Sequence, residues 1–284
     1  MGKELFAGAI ARLAETVGRL PYAEIHGAEN IYLAQSHLSE DGSVLVCFLP
    51  HTHTLDPIVL NEIFLRPELA PYVKGKFGFP ASVKFTQLVA EMDTMGMATV
   101  GSKAYADRSG FELIPIFQPY LLGDPRYAHL TDTADRINLK ALLQMKRIIK
   151  TPSSLLVIAP EGTRNKTNGL LRADQNISGL ISRRNTNLLV LPLTISGMRH
   201  QEGHLFKMAT AKIALHLGPI LDTEQIYQIA KNHTWLDESM GDFSPIDALM
   251  FHAVSNLPLD TLSTSVDPRG VYDSINILGK AGES

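Results

Sequence analysis

Hydrophobic and polar positions divide the chain into short apolar runs and longer amphipathic segments. The apolar runs predict β-strands at 43–49, 97–101, 155–159, 188–195 and 211–217. Apolar positions at helical spacing predict helices at 29–37, 57–66, 83–92, 133–150, 173–183 and 223–231. Strands that alternate with helices favour an α/β fold in which helices flank a largely parallel or mixed sheet. Such sheets bind ligands at the carboxyl ends of their strands.

The first 21 residues form a separate pattern. Apolar side chains recur at steps of three and four, which predicts an N-terminal amphipathic helix over 1–21. A helix packed on its own domain and an interfacial membrane helix both fit this stripe. These positions are Phe6, Ile10, Leu13, Val17 and Leu20.

The rest of the chain reads as one α/β domain over 22–255 followed by an irregular tail over 256–284. Residues 109–130 fit the alternation poorly, and 114–123 contain two prolines. This segment is interpreted as an insertion or lid. No internal repeat or linker divides the domain.

Composition and charge exclude some classes of binding partner and some structural features. The net charge of −3 and pI of about 6.4 provide no basic field for a nucleic-acid backbone, so no nucleic-acid partner is expected. Cys47 is the only cysteine, which excludes a disulfide within the chain. No apolar run approaches the roughly 20 residues of a spanning helix, and no signal peptide is evident. We therefore expect a cytoplasmic protein, either soluble or peripheral on the inner membrane face.

The first candidate motif, PHTHTLDP at 50–57, directly follows the apolar run 43–49. The Asp-Pro pair is typical of a helix start, so His51 would end a strand while Asp56 begins the next helix. Across such a corner the two side chains can meet. A carboxylate on one imidazole nitrogen fixes the tautomer, and the other nitrogen can then accept a proton from a hydroxyl. A surface histidine and a simple helix cap are the alternative reading.

The second candidate motif, PEGTR at 160–164, follows the apolar run 155–159. Glycine in a post-strand turn lets backbone amides approach an anion, and the guanidinium of Arg164 offers a planar fork suited to phosphate. Glu161 is placed either to anchor Arg164 or to bind a substrate hydroxyl. The alternative is a surface Glu–Arg pair in a tight turn.

His-x-x-x-x-Asp followed by Pro-Glu-Gly-Thr-Arg resembles the glycerolipid acyltransferase family, which includes glycerol-3-phosphate and lysophosphatidic acid acyltransferases. Similar segments occur at 25–30 (IHGAEN) and 191–195 (LPLTI), so the resemblance covers roughly 22–220. It implies transfer of a fatty acyl group from a thioester, acyl-CoA or acyl carrier protein, to the hydroxyl of a phosphate-bearing glycerol. It implies no cofactor and no metal. The acceptor that we expect is glycerol-3-phosphate, with lysophosphatidic acid as the alternative.

The resemblance implies a role for each matching residue. His51 becomes the general base and Asp56 its partner, and the turn that binds the acceptor consists of Glu161, Gly162, Thr163 and Arg164. Lys103 lies in a stretch similar to a phosphate-binding Ser-Lys segment of soluble plastid glycerol-3-phosphate acyltransferases, and Lys166 would add a second charge. The family's usual residues before the two motifs are replaced by Pro50 and Ala159.

Two other functions remain open at this point. His51 and His53, one residue apart after a strand, also resemble part of a metal site in a metal-dependent hydrolase. A non-catalytic lipid-binding scaffold would keep the same fold with a decayed site.

Overall fold

A computed structural model describes residues 23–49, 51, 56–83, 94–118, 121–162, 171, 173–174, 177, 179–197, 213–232 and 244–255. The predicted N-terminal helix over 1–21, residues 84–92 of a predicted helix and the tail 256–284 lie outside these residues. The predicted α/β class is confirmed, because the described residues form an eight-stranded mixed sheet with helices on both faces.

The strands are β1 (Ala23–His26), β2 (Ser43–Leu49), β3 (Phe77–Ser82), β4 (Glu112–Ile116), β5 (Leu155–Ile158), β6 (Leu188–Ser196), β7 (Ile213–Leu217) and β8 (Leu221–Asp222). The α-helices are α1 (Glu29–Ser39), α2 (Asp56–Val59), α3 (Thr94–Ser109), α4 (Ala128–Thr131), α5 (Ala134–Ile148), α6 (Thr223–Lys231) and α7 (Pro245–Ser255). A π-helix at Leu60–Leu69 continues α2, and short 3₁₀ turns lie at Ala70–Tyr72 and Pro125–Tyr127.

The order across the sheet is β1-β7-β6-β2-β5-β3-β4, and β8 pairs with β6. The run from β6 to β4 is parallel, whereas β7 is antiparallel to β6. β2 lies between β5 and β6, and all seven of its residues are buried. A central parallel strand is covered on both faces, which explains its continuous apolar run.

Alternate side chains of β2 enter two cores. Val44, Val46 and Phe48 face a core shared with α1, the π-helix and α3. Leu45, Cys47 and Leu49 face the opposite core, which α5, α6 and α7 cover. The thiol of Cys47 is buried in this core. Within the described residues, no helix is both long and apolar enough to cross a membrane.

Three of the predicted segments have a different structure in the described residues. The predicted strand at 97–101 lies inside α3, because a short apolar run does not distinguish a strand from a buried helix. Part of the predicted insertion at 109–130 is β4, which pairs with β3 as the edge strand of the sheet. Positions 179–183 of the predicted helix 173–183 form turns and irregular backbone around Gly179. The predicted lid function of 109–130 stays a prediction.

Candidate active site

The site is built where two neighbouring parallel strands end. β2 and β5 pair in register from Val44–Leu155 to Cys47–Ile158, so the corners after them lie at the same edge of the sheet. His51 follows β2, and Glu161 follows β5. The two motifs therefore meet at the carboxyl edge, as the sequence pattern predicts.

His51 and Asp56 are in direct contact. The Nδ1 atom of His51 lies 3.1 Å from Oδ2 of Asp56, whose side chain is fully buried while that of His51 is 19% exposed. Asp56 is the first residue of α2, so the helix start holds the carboxylate in place. With Nδ1–H donated to Asp56, the Nε2 lone pair of His51 is the basic nitrogen available to a hydroxyl.

An aromatic contact sets the orientation of the imidazole ring. The rings of Phe48 and His51 meet edge to face at 5.6 Å, and Phe48 in turn contacts Phe79 of β3. Such pairs favour one ring orientation because the positive edge of one ring meets the negative face of the other. The His51 ring is thus held by a carboxylate on one side and by the core on the other.

Glu161 connects the two corners through the backbone. Its Oε2 accepts the His51 N–H at 2.9 Å, and its Oε1 accepts the Leu171 N–H at 2.9 Å. The Glu161 side chain is buried, and a buried carboxylate is stabilised by such charge-assisted hydrogen bonds. The structure gives Glu161 a bracing contact, and the predicted contact with a substrate hydroxyl stays a prediction.

Gly162 has a backbone conformation and a close neighbour that both favour glycine. Its φ of +66° is in the left-handed region, and a Cβ added there would lie 3.0 Å from Cβ of Asp174. Its carbonyl oxygen accepts Nε2–H of Gln118 at 2.7 Å, which ties this turn to the residues after β4. Thr163, Arg164 and Lys166 lie outside the described residues, so their predicted roles stay predictions.

Two backbone N–H groups near these corners already donate hydrogen bonds within the protein. The His51 N–H donates to Glu161, and the Gly162 N–H donates to the Ala159 carbonyl at 3.0 Å. An oxyanion that develops during acyl transfer is stabilised by backbone amides that are free to donate to it. These two are unsuited to that role in this arrangement because each already donates to an acceptor of the protein.

A polar cluster joins the π-helix to α3, and the sequence pattern did not predict it. The Asn61 side chain donates to the Tyr105 hydroxyl at 2.8 Å, and that hydroxyl donates to Glu62 at 3.2 Å. Glu62 also pairs with Arg66 at 3.1 Å. Burial raises the pKa of Tyr105, so the hydroxyl stays protonated and remains a donor. The cluster fixes the segment after Asp56 against α3. In the sequence, the only sign of it was the i, i+4 spacing of Glu62 and Arg66.

Lys103 lies on α3 with an exposed side chain. Within the described residues, no hydrogen bond or ion pair joins it to His51, Asp56 or Glu161. Its predicted contact with an acceptor phosphate stays a prediction. His53 of the alternative metal site also lies outside the described residues, and those residues contain no group of three or more His, Cys, Asp or Glu side chains placed to hold a metal ion.

The chain matches no protein-family model, and comparison with curated proteins found no match. Among solved structures, it is similar to the 1-acyl-sn-glycerophosphate (LPA) acyltransferase PlsC from Thermotoga maritima. The two are 14% identical with a TM-score of 0.40, over 89% of this chain and 82% of that chain. This likeness is distant.

Proposed function

We propose that the chain is an O-acyltransferase that moves a fatty acyl group from a thioester to the hydroxyl of a phosphate-bearing glycerol in phospholipid biosynthesis. The observation that supports it most is the 3.1 Å contact between His51 and the buried Asp56 at the carboxyl end of the central strand. The second motif lies beside it, with Glu161 holding the His51 backbone.

In this mechanism His51 Nε2 takes the proton of the acceptor hydroxyl as its oxygen attacks the thioester carbonyl carbon. A new C–O bond forms and the C–S bond breaks. The proton then passes from the imidazolium to the leaving thiolate, so the histidine ends neutral. Asp56 stabilises the imidazolium and keeps the ring in the correct tautomer.

Recognition of the acceptor is assigned to cations near the second motif. Arg164 follows Gly162 by two residues, and a guanidinium binds phosphate through two parallel hydrogen bonds. Lys166 and Lys103 would add charge. We propose glycerol-3-phosphate as the acceptor, and lysophosphatidic acid, which also presents a phosphate and a hydroxyl, as the alternative. The donor is acyl-CoA or acyl carrier protein.

A thiol-release assay with each donor against each acceptor tests the proposal. We expect release that depends on an acceptor and that His51→Ala abolishes. Release with glycerol-3-phosphate but not with lysophosphatidic acid supports the preferred acceptor, and the reverse supports the alternative. Lipid binding without thiol release for any pair would overturn the enzyme assignment in favour of a scaffold.

The metal-dependent hydrolase is tested on the same preparation. A hydrolase would release thiol without an acceptor, and the activity would fall on chelation and return with added zinc or manganese. Acceptor-dependent release that is unaffected by a chelator supports the acyltransferase.

A further inference from the structure

Helix α5 carries an exposed face with an unusual composition. Leu139 and Leu143, one helical turn apart, are each 57% exposed. Arg136, Lys140 and Arg147 are exposed on the same helix, and Lys150 is exposed in the turn that follows. Of these six positions, the five on the helix fall within about 100° of its circumference at 3.6 residues per turn. We name them the α5 stripe.

The charge of this segment contrasts with that of the whole chain. Residues 134–150 contain five basic side chains and one acidic side chain, Asp135, although the chain has a net charge of −3. Within the described part of the chain, none of the four stripe cations has an ion-pair partner. The nearby Glu112 accepts instead from Gln144 at 2.7 Å. The stripe itself therefore carries four positive charges and no negative charge.

The side of α5 opposite the stripe provides the apolar contact between the helix and the domain. Ala141, Met145 and Ile148 are buried against the sheet, so the helix already has its apolar contact with the domain. Leucines on the outer face contribute nothing to that core. Exposed leucines between basic side chains on a helix are typical of a face that rests at a lipid headgroup boundary.

We propose that the α5 stripe binds the surface of an anionic lipid bilayer. The leucines would enter the headgroup boundary while the flanking cations contact lipid phosphates. The preference for lipid over an acidic protein rests on the proposed function, because an acylated glycerol phosphate carries a long chain and belongs in a bilayer. It also rests on shape, since leucines that project from a helix fit a deformable surface better than a preformed pocket.

A site-specific probe tests this proposal in the full chain. Leu143→Cys introduces an exposed thiol, which can carry an environment-sensitive fluorophore. The native Cys47 stays unlabelled because it is fully buried and burial raises its pKa. Vesicles of phosphatidylglycerol and phosphatidylcholine in equal parts should shift the emission to the blue, and the shift should weaken at high salt.

Helix α1 provides a matched control. Leu33 is 53% exposed, yet the exposed residues of α1 include no lysine or arginine. We expect no blue shift for labelled Leu33→Cys. An equal shift at both positions would indicate unspecific adsorption and overturn the proposal. An unshifted probe at position 143, or an equal shift with pure phosphatidylcholine, would also overturn it.

Binding by unlabelled variants gives an independent measure. Lys140→Gln with Arg147→Gln should weaken vesicle affinity roughly fivefold for each cation lost. Leu139→Gln with Leu143→Gln should weaken it at least about tenfold, whereas Leu33→Gln should not. Unchanged affinity in both double variants contradicts the proposal. Because vesicle binding is measured without substrates and thiol release without vesicles, failure here is separable from failure of the acyltransferase assignment.

Discussion

The carboxylate of Glu161 accepts the backbone N–H of His51 at 2.9 Å, across a separation of 110 residues in sequence. The same carboxylate accepts the Leu171 N–H with its other oxygen. A residue expected to contact substrate therefore joins the backbones of both corners. The position of the proposed base depends on the turn expected to bind the acceptor.

Replacing Glu161 by Gln should reduce both stability and activity. The amide keeps one acceptor oxygen but places an NH₂ group against the other backbone N–H, which leaves a buried donor unsatisfied. We expect a loss of about 1–3 kcal/mol in the free energy of unfolding, measured by urea denaturation, and a lower kcat. Glu112→Gln, at an exposed glutamate, is the control and should change neither strongly. Wild-type stability of the Glu161 variant would contradict the bracing role.

The proposed base and its partner should differ in how much activity their loss removes. We expect His51→Ala to abolish acceptor-dependent thiol release. Asp56→Asn should lower kcat by about 10²- to 10⁴-fold, because the amide no longer stabilises the imidazolium. Steady-state kinetics on variants with wild-type circular dichroism would measure this. Near-normal turnover by Asp56→Asn would remove the assignment of the pair.

Gly162→Ala should destabilise the second corner for two physical reasons that a control can separate. Gly110 also has a positive φ, +76°, but an added Cβ there meets nothing within 4 Å. Gly110→Ala should therefore cost only the left-handed backbone, about 1–2 kcal/mol. Gly162→Ala should cost more, since its Cβ would press against Asp174. Urea denaturation of the two variants gives the difference, and equal costs would show that the Asp174 contact relaxes freely.

Arg164→Ala should weaken binding of the acceptor more than it slows the chemical step. We expect the KM for the phosphate-bearing acceptor to rise about 10- to 100-fold, as the loss of charge-assisted hydrogen bonds predicts. The KM for the thioester donor should stay close to its original value. Initial rates with either substrate varied would check both constants. If KM for the acceptor stays the same while kcat collapses, Arg164 does not bind the phosphate.

The Cys47 thiol should report global unfolding. It is buried in the central strand, and burial raises its pKa, so the reactive thiolate is suppressed in the folded state. Reaction with an aromatic disulfide should be very slow in buffer and fast in strong urea. The rise in reactivity with urea should follow the loss of circular dichroism. Rapid labelling of the native protein would show that the strand opens locally.

The sequence was most informative where a strand is buried on both faces. β2, β5 and β6 stand out as continuous apolar runs, because strands that are covered on both faces leave no polar side. β3 and β4 were missed because Gly78, Pro80 and Pro115 lower strand propensity. β4 is an edge strand, where a proline costs less. The run at 97–101 was wrongly taken as a strand because its composition alone does not separate the two states.

Some contacts of the candidate site could be predicted from the local sequence and others could not. The contact between His51 and Asp56 was predictable because both residues flank one local corner. The contact between Glu161 and the His51 backbone was not predictable. It depends on the pairing of β2 with β5 and on how deeply the Glu161 carboxylate is buried. The link from Asn61 through Tyr105 to Glu62 likewise joins distant segments, and no local pattern marks Tyr105.

The place of β2 in the sheet has a consequence during synthesis. Its two neighbours, β5 and β6, are made more than a hundred residues later. A growing chain that ends before 196 cannot fully pair both edges of the strand that His51 follows. Long-range pairing of this kind forms late and slowly. A ribosome-bound chain should thus have no catalytic activity until most of the polypeptide has emerged.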